Sequence, residues 1–550
     1  MSSLHRILVP LLLLGPAATA AQDGLDAALQ SVRAEAIRAH MAFLADDLLE
    51  GRETGTRGYQ LAANYVATQL DLLGLKAAGD DGGFLQWMPL RRAQQIETEC
   101  RFTLVGETEA QELVYAQHYL MTADALRETS DVAAPLVYVG YGVSAPDLGY
   151  DDYANVDATG KVVVLLRGAP PTFPHNQRAY HATSRVKQRL AAERGAVGML
   201  QFLTPEDAAK RPWEKSVVNS KIASMRALDG DGNPTAVQPE LRIHAFLSRQ
   251  GAEALFAGAS SSLQEVFAAA ASGETHSLDL PYSGQLKRAS RHQRVRSCNV
   301  AGLLQGSDPL LRDEVVVYTA HLDHLGVGAT VEGDSIYNGA FDNASGTAVL
   351  LEIARAFASM PQAPRRSLLF LAVTGEEKGL LGSEYFMEFP TVPRENIVAN
   401  INLDMFLMLH PMRDLIAFGE EHSTLTRAVA RAADRLGFEV TPDPMPEEVI
   451  FVRSDQYSFV RRGIPALFLV AGGKGHEPGK VHFSTWIRDI YHTQKDDLGQ
   501  DVDYGAGVTF TQANVLIGYE IANEEGRPRW NDGDFFGDLF GRTNAADASR

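Results

Sequence analysis

The sequence predicts an α/β fold: a mostly parallel, mixed sheet with helices on both faces, interrupted by a β-rich insert. Three observations lead there. Beyond Asn299, short apolar runs alternate with amphipathic segments of helical length, the pattern of parallel strands joined by crossover helices. Between about residues 134 and 260 the texture is instead one of short β-branched runs punctuated by Gly, Pro and Asp. The composition, 45% hydrophobic and 22% charged over 550 residues, is ordinary globular material with enough apolar mass for a large core.

Residues 1–20 carry Arg6, an apolar run from Ile7 to Leu14 and the small residues Ala18-Thr19-Ala20, the order of a secretory signal peptide, so export is expected. That run is too short to span a bilayer, which takes about 20 residues, and no later stretch is long and uncharged enough to do so. Residues 21–133 open the main domain. Within them, apolar positions at helical spacing (Ile37, Met41, Leu44, then Leu61, Ala62, Tyr65, Val66, Leu70) predict two helices around the turn Gly51-Arg52-Glu53-Thr54-Gly55.

The insert, 134–260, begins with runs such as Leu136-Val137-Tyr138-Val139 and Val162-Val163-Val164-Leu165-Leu166, and holds one helical stretch near 184–194. A Ser- and Ala-rich linking helix near 250–272 leads back to the main domain, 261–540. There the reading is strand 315–320, helix 346–359, strand 367–374, strand 397–403, helix 423–436, strand 465–470 and helix 511–523. On helix 346–359, Glu352, Arg355 and Ser359 share a polar face while Val349, Leu350, Ile353 and Phe357 fall elsewhere. The polar residues 541–550 are expected to fray.

Fifty Lys plus Arg against 69 Asp plus Glu give a net charge of −19, and a surface that acidic repels phosphate backbones, which disfavours nucleic acid as a partner. Cys100 and Cys298 are too few for a disulfide scaffold; in an oxidising compartment they could form one bridge, and sequence separation leaves their pairing open.

Ligands of open α/β sheets collect beyond the carboxyl ends of the strands, so the residues after each apolar run are of special interest. Val315 to Ala320 runs into His321-Leu322-Asp323, Leu368 to Val373 into Gly375-Glu376-Glu377, and Ile397 to Leu403 ends at Asp404. Asp342 stands just before a helix, and His492 in a loop before the last long helix. Singly, each has an ordinary structural explanation as a hydrogen-bonded histidine, a solvated turn or an N-cap. Together, converging Asp342, Glu377 and Asp404 would repel one another by about 4 kcal/mol per pair at 4 Å and an effective dielectric of 20, and divalent cations are the natural counter-charge. Two imidazoles and three carboxylates form a mixed N/O set suited to zinc, with no cysteine nearby to close a structural thiolate site. One bridging carboxylate would let two metals each hold one histidine and one further carboxylate, the arrangement of a two-metal hydrolase. On an extended chain His321 and Asp323 project to one face, where Asp323 could orient the imidazole. Glu376 and Glu377 must point apart, so one can ligate while the other moves the proton.

The strings Ala320-His321-Leu322-Asp323-His324-Leu325-Gly326, Asn338-Gly339-Ala340-Phe341-Asp342-Asn343-Ala344-Ser345-Gly346, Thr374-Gly375-Glu376-Glu377, Asn402-Leu403-Asp404 and Tyr491-His492-Thr493 resemble the metal-site motifs of the M28 zinc aminopeptidases. The string Phe43-Leu44-Ala45-Asp46-Asp47-Leu48-Leu49-Glu50-Gly51-Arg52 is similar to that of the bacterial branch with a protease-associated (PA) domain insert, and residues 134–260 resemble that domain. The resemblance implies a zinc-exopeptidase sheet, peptide substrates and two zinc ions. Asp342 would bridge them, His321 and Asp404 would complete one site, and Glu377 and His492 the other. Glu376 would be the general base for an exported enzyme, periplasmic or secreted, that removes N-terminal amino acids. Phe341 stands where the family often has an acidic residue, a change that could alter the pocket rim. The family's oxyanion contact, often a Tyr, has no assigned position, with Tyr457 and Tyr491 as candidates.

Three rivals stay open: carboxypeptidase action, glutaminyl cyclisation at a single zinc, and a non-catalytic binding protein that uses the PA-like insert. Asp229, Asp231, Asn233 and Glu240 match a calcium loop except that Pro234 replaces the glycine of its sharp turn, so a plain turn is expected. Asn343-Ala344-Ser345 matches a glycosylation acceptor, but a glycan there would block the proposed metal site.

Overall fold

The computed structural model describes residues 16–274, 276–476 and 483–541. Residues 1–15 of the expected signal peptide and 542–550 of the expected tail lie outside them; the helix Pro16–Ser31 starts within the signal-peptide segment. Among the described residues, no helix is long and apolar enough to cross a membrane.

The main sheet is mixed and parallel at its centre. Val315–His321 lies between Ser367–Val373 and Ile397–Asn402, parallel to both, and Ala466–Ala471 continues the parallel set. Antiparallel strands close the two sides: Asp414–Phe418 against Ala466–Ala471, and the end of Leu278–Leu304 against Ser367–Val373. All residues of the three central strands are buried, as expected for a sheet covered on both faces, and this explains their unbroken apolar runs. The helices Ser345–Ala358 and Tyr504–Asn523 pack on one face with Ala34–Leu44 and Arg57–Leu72, around a core that includes Ile37, Met41, Val66, Leu350, Ile353 and Phe510.

The helices Ser345–Ala358 and Thr426–Leu436 begin and end within three residues of the expected positions, Tyr504–Asn523 begins seven residues before the expected 511, and on the polar face of Ser345–Ala358 Glu352 is withdrawn from solvent. Glu352 is fully buried and accepts hydrogen bonds from the Arg33 N–H at 3.1 Å and Arg355 Nε at 2.7 Å. The N-terminal helices cover that face, so the carboxylate is a buried clasp for the chain entering at Arg33. The linking helix also differs from expectation, splitting into Arg249–Phe256 and Leu263–Ser272. The break falls at Gly258, whose φ of +74 no helix accommodates, and Ser262 starts the second piece through a capping box with Glu265.

A second sheet sets Val162–Leu166 parallel to the end of Thr129–Tyr138 and to Gly198–Phe202, with Ile243–Leu247 beyond. Its core draws on residues from Cys100 to Leu286, including the strands Arg101–Val105 and Tyr119–Met121 that precede residue 134. The two sheets share the 27-residue strand Leu278–Leu304, whose first half pairs with Thr129–Tyr138 and second half with Leu85–Gln95. Cys100 is a free thiol in the second core and Cys298 one in the first. The calcium-like string is a turn in which Asp229 Oδ1 accepts from the N–H groups of Asp231 at 3.0 Å and Asn233 at 2.8 Å.

Candidate metal centre

Three adjacent parallel strands end at one edge of the main sheet, and their last residues begin the site. His321 closes its strand, Glu376 and Glu377 follow Val373 by a short turn, and Asp404 follows Asn402 by two residues. Asp342 arrives from the turn before the helix Ser345–Ala358. Gly339 makes that turn possible: its φ is +61, and a Cβ there would lie 2.2 Å from the Asp342 carbonyl oxygen and 2.6 Å from His324 Cγ. His492 comes from the loop before Tyr504–Asn523.

These five side chains meet. His321 Nε2 lies 3.2 Å from Asp342 Oδ1 and 3.1 Å from Asp404 Oδ1. His492 Nε2 lies 3.1 Å from Asp342 Oδ2 and 3.1 Å from Glu377 Oε2. The two oxygens of Asp342 therefore face different histidines, each of which also faces one further carboxylate.

The charges are strongly coupled. Burial alone would lower both imidazoles, but Asp404 and Asp342 hold His321 well above its ordinary range, and Glu377 with Asp342 raises His492 to about 10. Burial would raise Glu377; His492 and His324 outweigh it and hold the carboxyl at about 2. In effect, protons on the imidazoles supply the counter-charge that the acidic cluster demands. A dication between each imidazole and its two carboxylates would do the same with less repulsion, because neutral histidine and ionised carboxylate are the ligating forms. Asp342 Oδ2 and His492 Nε2 are buried 3.1 Å apart without a well-formed hydrogen bond, so both are available as ligands once the imidazole gives up its proton. The donor set thus fits two zinc-type cations.

Glu376 is poised differently. It keeps some exposed surface, and burial, then Asp404 and Glu377, push its carboxyl well above the ordinary range despite the opposing pull of His321. Asp323 does not orient His321 through its side chain. The strand ends at His321, so the two-residue alternation does not extend to position 323. Its carboxylate instead accepts from Thr54 Oγ1 at 2.9 Å and from the Glu376 N–H at 3.1 Å, while its main-chain carbonyl oxygen lies 3.1 Å from His321 Nδ1.

Several further residues surround the cluster. His324 Nδ1 lies 2.8 Å from Glu377 Oε1 and 3.8 Å from Asp342 Oδ2, which makes it a second imidazole on that side of the site. Asp496, four residues after His492, accepts from the Phe341 N–H at 2.8 Å and the Asp342 N–H at 3.0 Å, and burial pushes its carboxyl to about 6. Ser454 donates to Asp404 Oδ2 at 2.5 Å, and the neighbouring Asp455 is raised to about 7, first by burial. Phe341 is fully buried edge-on against Trp486, so it does not form a rim. Tyr457 packs in an aromatic cluster with Phe536, and Tyr491 stacks on His492 at 3.7 Å between ring centroids.

Arg52 lies behind the acids. Its guanidinium donates to the carbonyl oxygens of Leu322 at 3.0 Å, Asn338 at 2.6 Å, Gly339 at 3.0 Å and Leu44. Burial lowers it to about 10, and Asp496, Asp323, Asp342 and Glu377 pull in the opposite direction. It staples the N-terminal loop to the turns carrying His321 and Asp342. Arg52→Met should strand four carbonyls and cost roughly 3–5 kcal/mol, read as a lower denaturant midpoint with zinc binding weakened in parallel; a midpoint within about 0.5 kcal/mol of wild type would remove the staple.

Residues 299–515 match Peptidase family M28. The chain is 27% identical over 245 residues to "Probable glutamate carboxypeptidase" of Arthroderma benhamiae, covering 41% of this chain and 31% of that one. It is 38% identical over 132 residues to "Aminopeptidase NAALADL1" of Mus musculus, covering 22% and 16%. Against "Probable zinc metalloprotease" of Pyricularia oryzae it is 35% identical over 267 residues, 42% of this chain and 50% of that one. The chain thus spans less than a third of the length of the first two of these curated relatives. The solved aminopeptidase from Aneurinibacillus sp. strain AM-1 has the same fold, with a TM-score of 0.54 at 21% identity over 92% of this chain and 97% of that one.

Proposed function

We propose that this chain is an exported di-zinc metallo-exopeptidase that removes N-terminal amino acids from peptides, a reading supported by the match of residues 299–515 to Peptidase family M28. The observation that carries the reading is Asp342, whose two oxygens face His321 and His492 separately. His321, Asp342 and Asp404 would hold one zinc, and His492, Asp342 and Glu377 the other. His492 is preferred to His324 because its Nε2 stands to Asp342 and Glu377 as His321 Nε2 stands to Asp342 and Asp404. When bound, the ions lower the pKa of a water and polarise the scissile carbonyl.

The chain's own residues do the rest. Glu376, near the cluster but outside both ligand groups, takes the proton from the attacking water and delivers it to the leaving amine. Its raised affinity for a proton suits the second half of that transfer. Asp323 positions Glu376 through the main-chain N–H and His321 through its own carbonyl. His324 orients Glu377. The second sheet is proposed to be a PA-like inserted domain. Its Lys215 Nζ reaches the Tyr491 carbonyl oxygen at 3.3 Å, next to His492, so the insert braces one wall of the site.

Zinc content measured alongside amino-acid release from matched peptides tests the proposal. Two zincs per chain with release from free N-termini, blocked by N-acetylation and indifferent to C-terminal amidation, is expected. Sensitivity to amidation instead would identify a carboxypeptidase, ring closure of N-terminal glutamine at one zinc a cyclase, and no turnover at full zinc load a binding protein.

A further inference from the structure

A cavity of about 300 Å³ opens in the second unit between the strands Gly198–Phe202 and Ile243–Leu247 and the helix Trp213–Asn219. None of its lining residues belongs to the candidate metal centre. Its walls are mixed: Phe202, Phe246, Trp213 and Ile222 supply apolar surface, Gln201 and Asn219 polar groups, and Arg167 lies among them. The Arg167 guanidinium sits 5.4 Å from the centroid of the Phe246 ring. Among the described residues, no hydrogen bond or ion pair reaches that guanidinium.

Arg288 and Arg366, which are more deeply buried, carry Asp124 and Glu314 at 2.6 Å, whereas Arg167 is half-buried and has no such partner. Around Arg167 the charged neighbours are Arg211 and Arg453, which repel it, and Asp207, which attracts it. Burial lowers Arg167 only to about 10, so it remains a cation at neutral pH. The adjoining His244, hydrogen-bonded to Gln201 at 3.1 Å, is held at about 3, first by burial and then by Arg288, Arg226 and Arg167. A chain of net charge −19 thus keeps, in its second unit, a positive hollow with aromatic residues in its walls.

We propose that this cavity is a binding site for a monocarboxylate with an apolar body, such as a peptide C-terminus or an N-acylated amino acid, with the carboxylate on Arg167 and the body against Trp213 and Phe202. A planar guanidinium with free N–H groups matches a carboxylate in a two-bond fork. The volume sits at the lower end for small-molecule sites, and aromatic walls with a few placed polar groups are the usual lining. A bare phosphate would leave those walls unfilled.

Calorimetric titration of the zinc-loaded full chain tests this, using N-acetylphenylalanine, its neutral amide, an N-acetylated tripeptide with a free C-terminus, and inorganic phosphate. Saturable binding of at least one of the two carboxylates is expected, at least tenfold tighter than the amide or phosphate, and weakened at least tenfold in Arg167→Gln. The tripeptide arm separates a peptide C-terminus from a free acyl amino acid. Comparison with the amide is made on the unaltered protein, so the inference stays exposed even if Arg167→Gln does not fold. Equal binding of acid and amide, phosphate binding as tightly as either carboxylate, affinity retained in Arg167→Gln, or absence of saturable heat at millimolar ligand would each overturn it. So would carboxylate binding that is lost in Asp342→Asn and kept in Arg167→Gln, since that places the ligand at the metal centre.

Discussion

Glu376→Gln is expected to keep both zincs and lose about a thousandfold in kcat, within the range of about 10²–10⁴ that a positioned general base supplies. The substitution preserves size and removes only the ability to accept a proton. Glu376 faces His321, Asp404 and Glu377 electrostatically without belonging to either three-residue ligand group, so the metal-holding geometry should survive. Its main-chain N–H, not its side chain, is what Asp323 holds, and glutamine retains that bond. The measurement is kcat and KM on an aminoacyl substrate with zinc quantified on the same sample. A loss confined to kcat with zinc at the wild-type level supports proton transfer. Loss of zinc in step with activity would make Glu376 a structural acid, and retention of most of the activity would falsify its role as base. The pH profile adds a separate readout: the limb of kcat governed by deprotonation of the base should vanish in the variant, whereas a merely structural defect lowers the whole curve.

The parts of this site legible in the sequence are those set by strand ends. A buried parallel strand needs an uninterrupted apolar run, so the first polar residues after Ala320, Val373 and Leu403 had to lie beyond the sheet at the edge where parallel strands terminate. Three runs ending in His321, Glu376-Glu377 and Asp404 therefore point to one location before any coordinate is known. What could not be read depends on backbone turns whose direction no periodicity encodes. Asp323 was expected to use its side chain on His321, but the strand stops two residues earlier and its carbonyl does so. Asp496 and Ser454 act on ligands held by other segments, and Arg52 joins three segments separated in sequence by up to 287 residues. The burial of Glu352 was not legible either, because a helical wheel records which residues share a face and not what covers that face. The strand Leu278–Leu304 was missed for the opposite reason: its middle, Lys287 to Arg296, is rich in charge and passes between two sheets, so no single face stays apolar.

Asp342→Asn should cost more than loss of any other ligand, because one side chain serves both halves of the cluster. The asparagine carbonyl can stand in for one oxygen, but the other position becomes an NH₂ group with no lone pair to offer and partial positive charge facing a cation. Removing Asp404 or Glu377 leaves one complete group of three ligands; removing the Asp342 carboxylate leaves none. Zinc affinity at the weaker position should fall roughly hundredfold or more, beyond what loss of an outer hydrogen bond typically costs. The main chain should hold its place, since the bonds from the Phe341 and Asp342 N–H groups to Asp496 do not involve the substituted side chain. Stability supplies a second readout. Zinc present at 100 times its dissociation constant stabilises the wild-type chain by about 2.7 kcal/mol per site, so added zinc should raise its melting temperature by several degrees and that of Asp342→Asn far less. Asp404→Asn is the control, expected to lose one zinc and keep part of the shift. Two zincs per chain in Asp342→Asn, with an undiminished thermal response, would remove the bridging carboxylate from the site and the di-zinc mechanism with it.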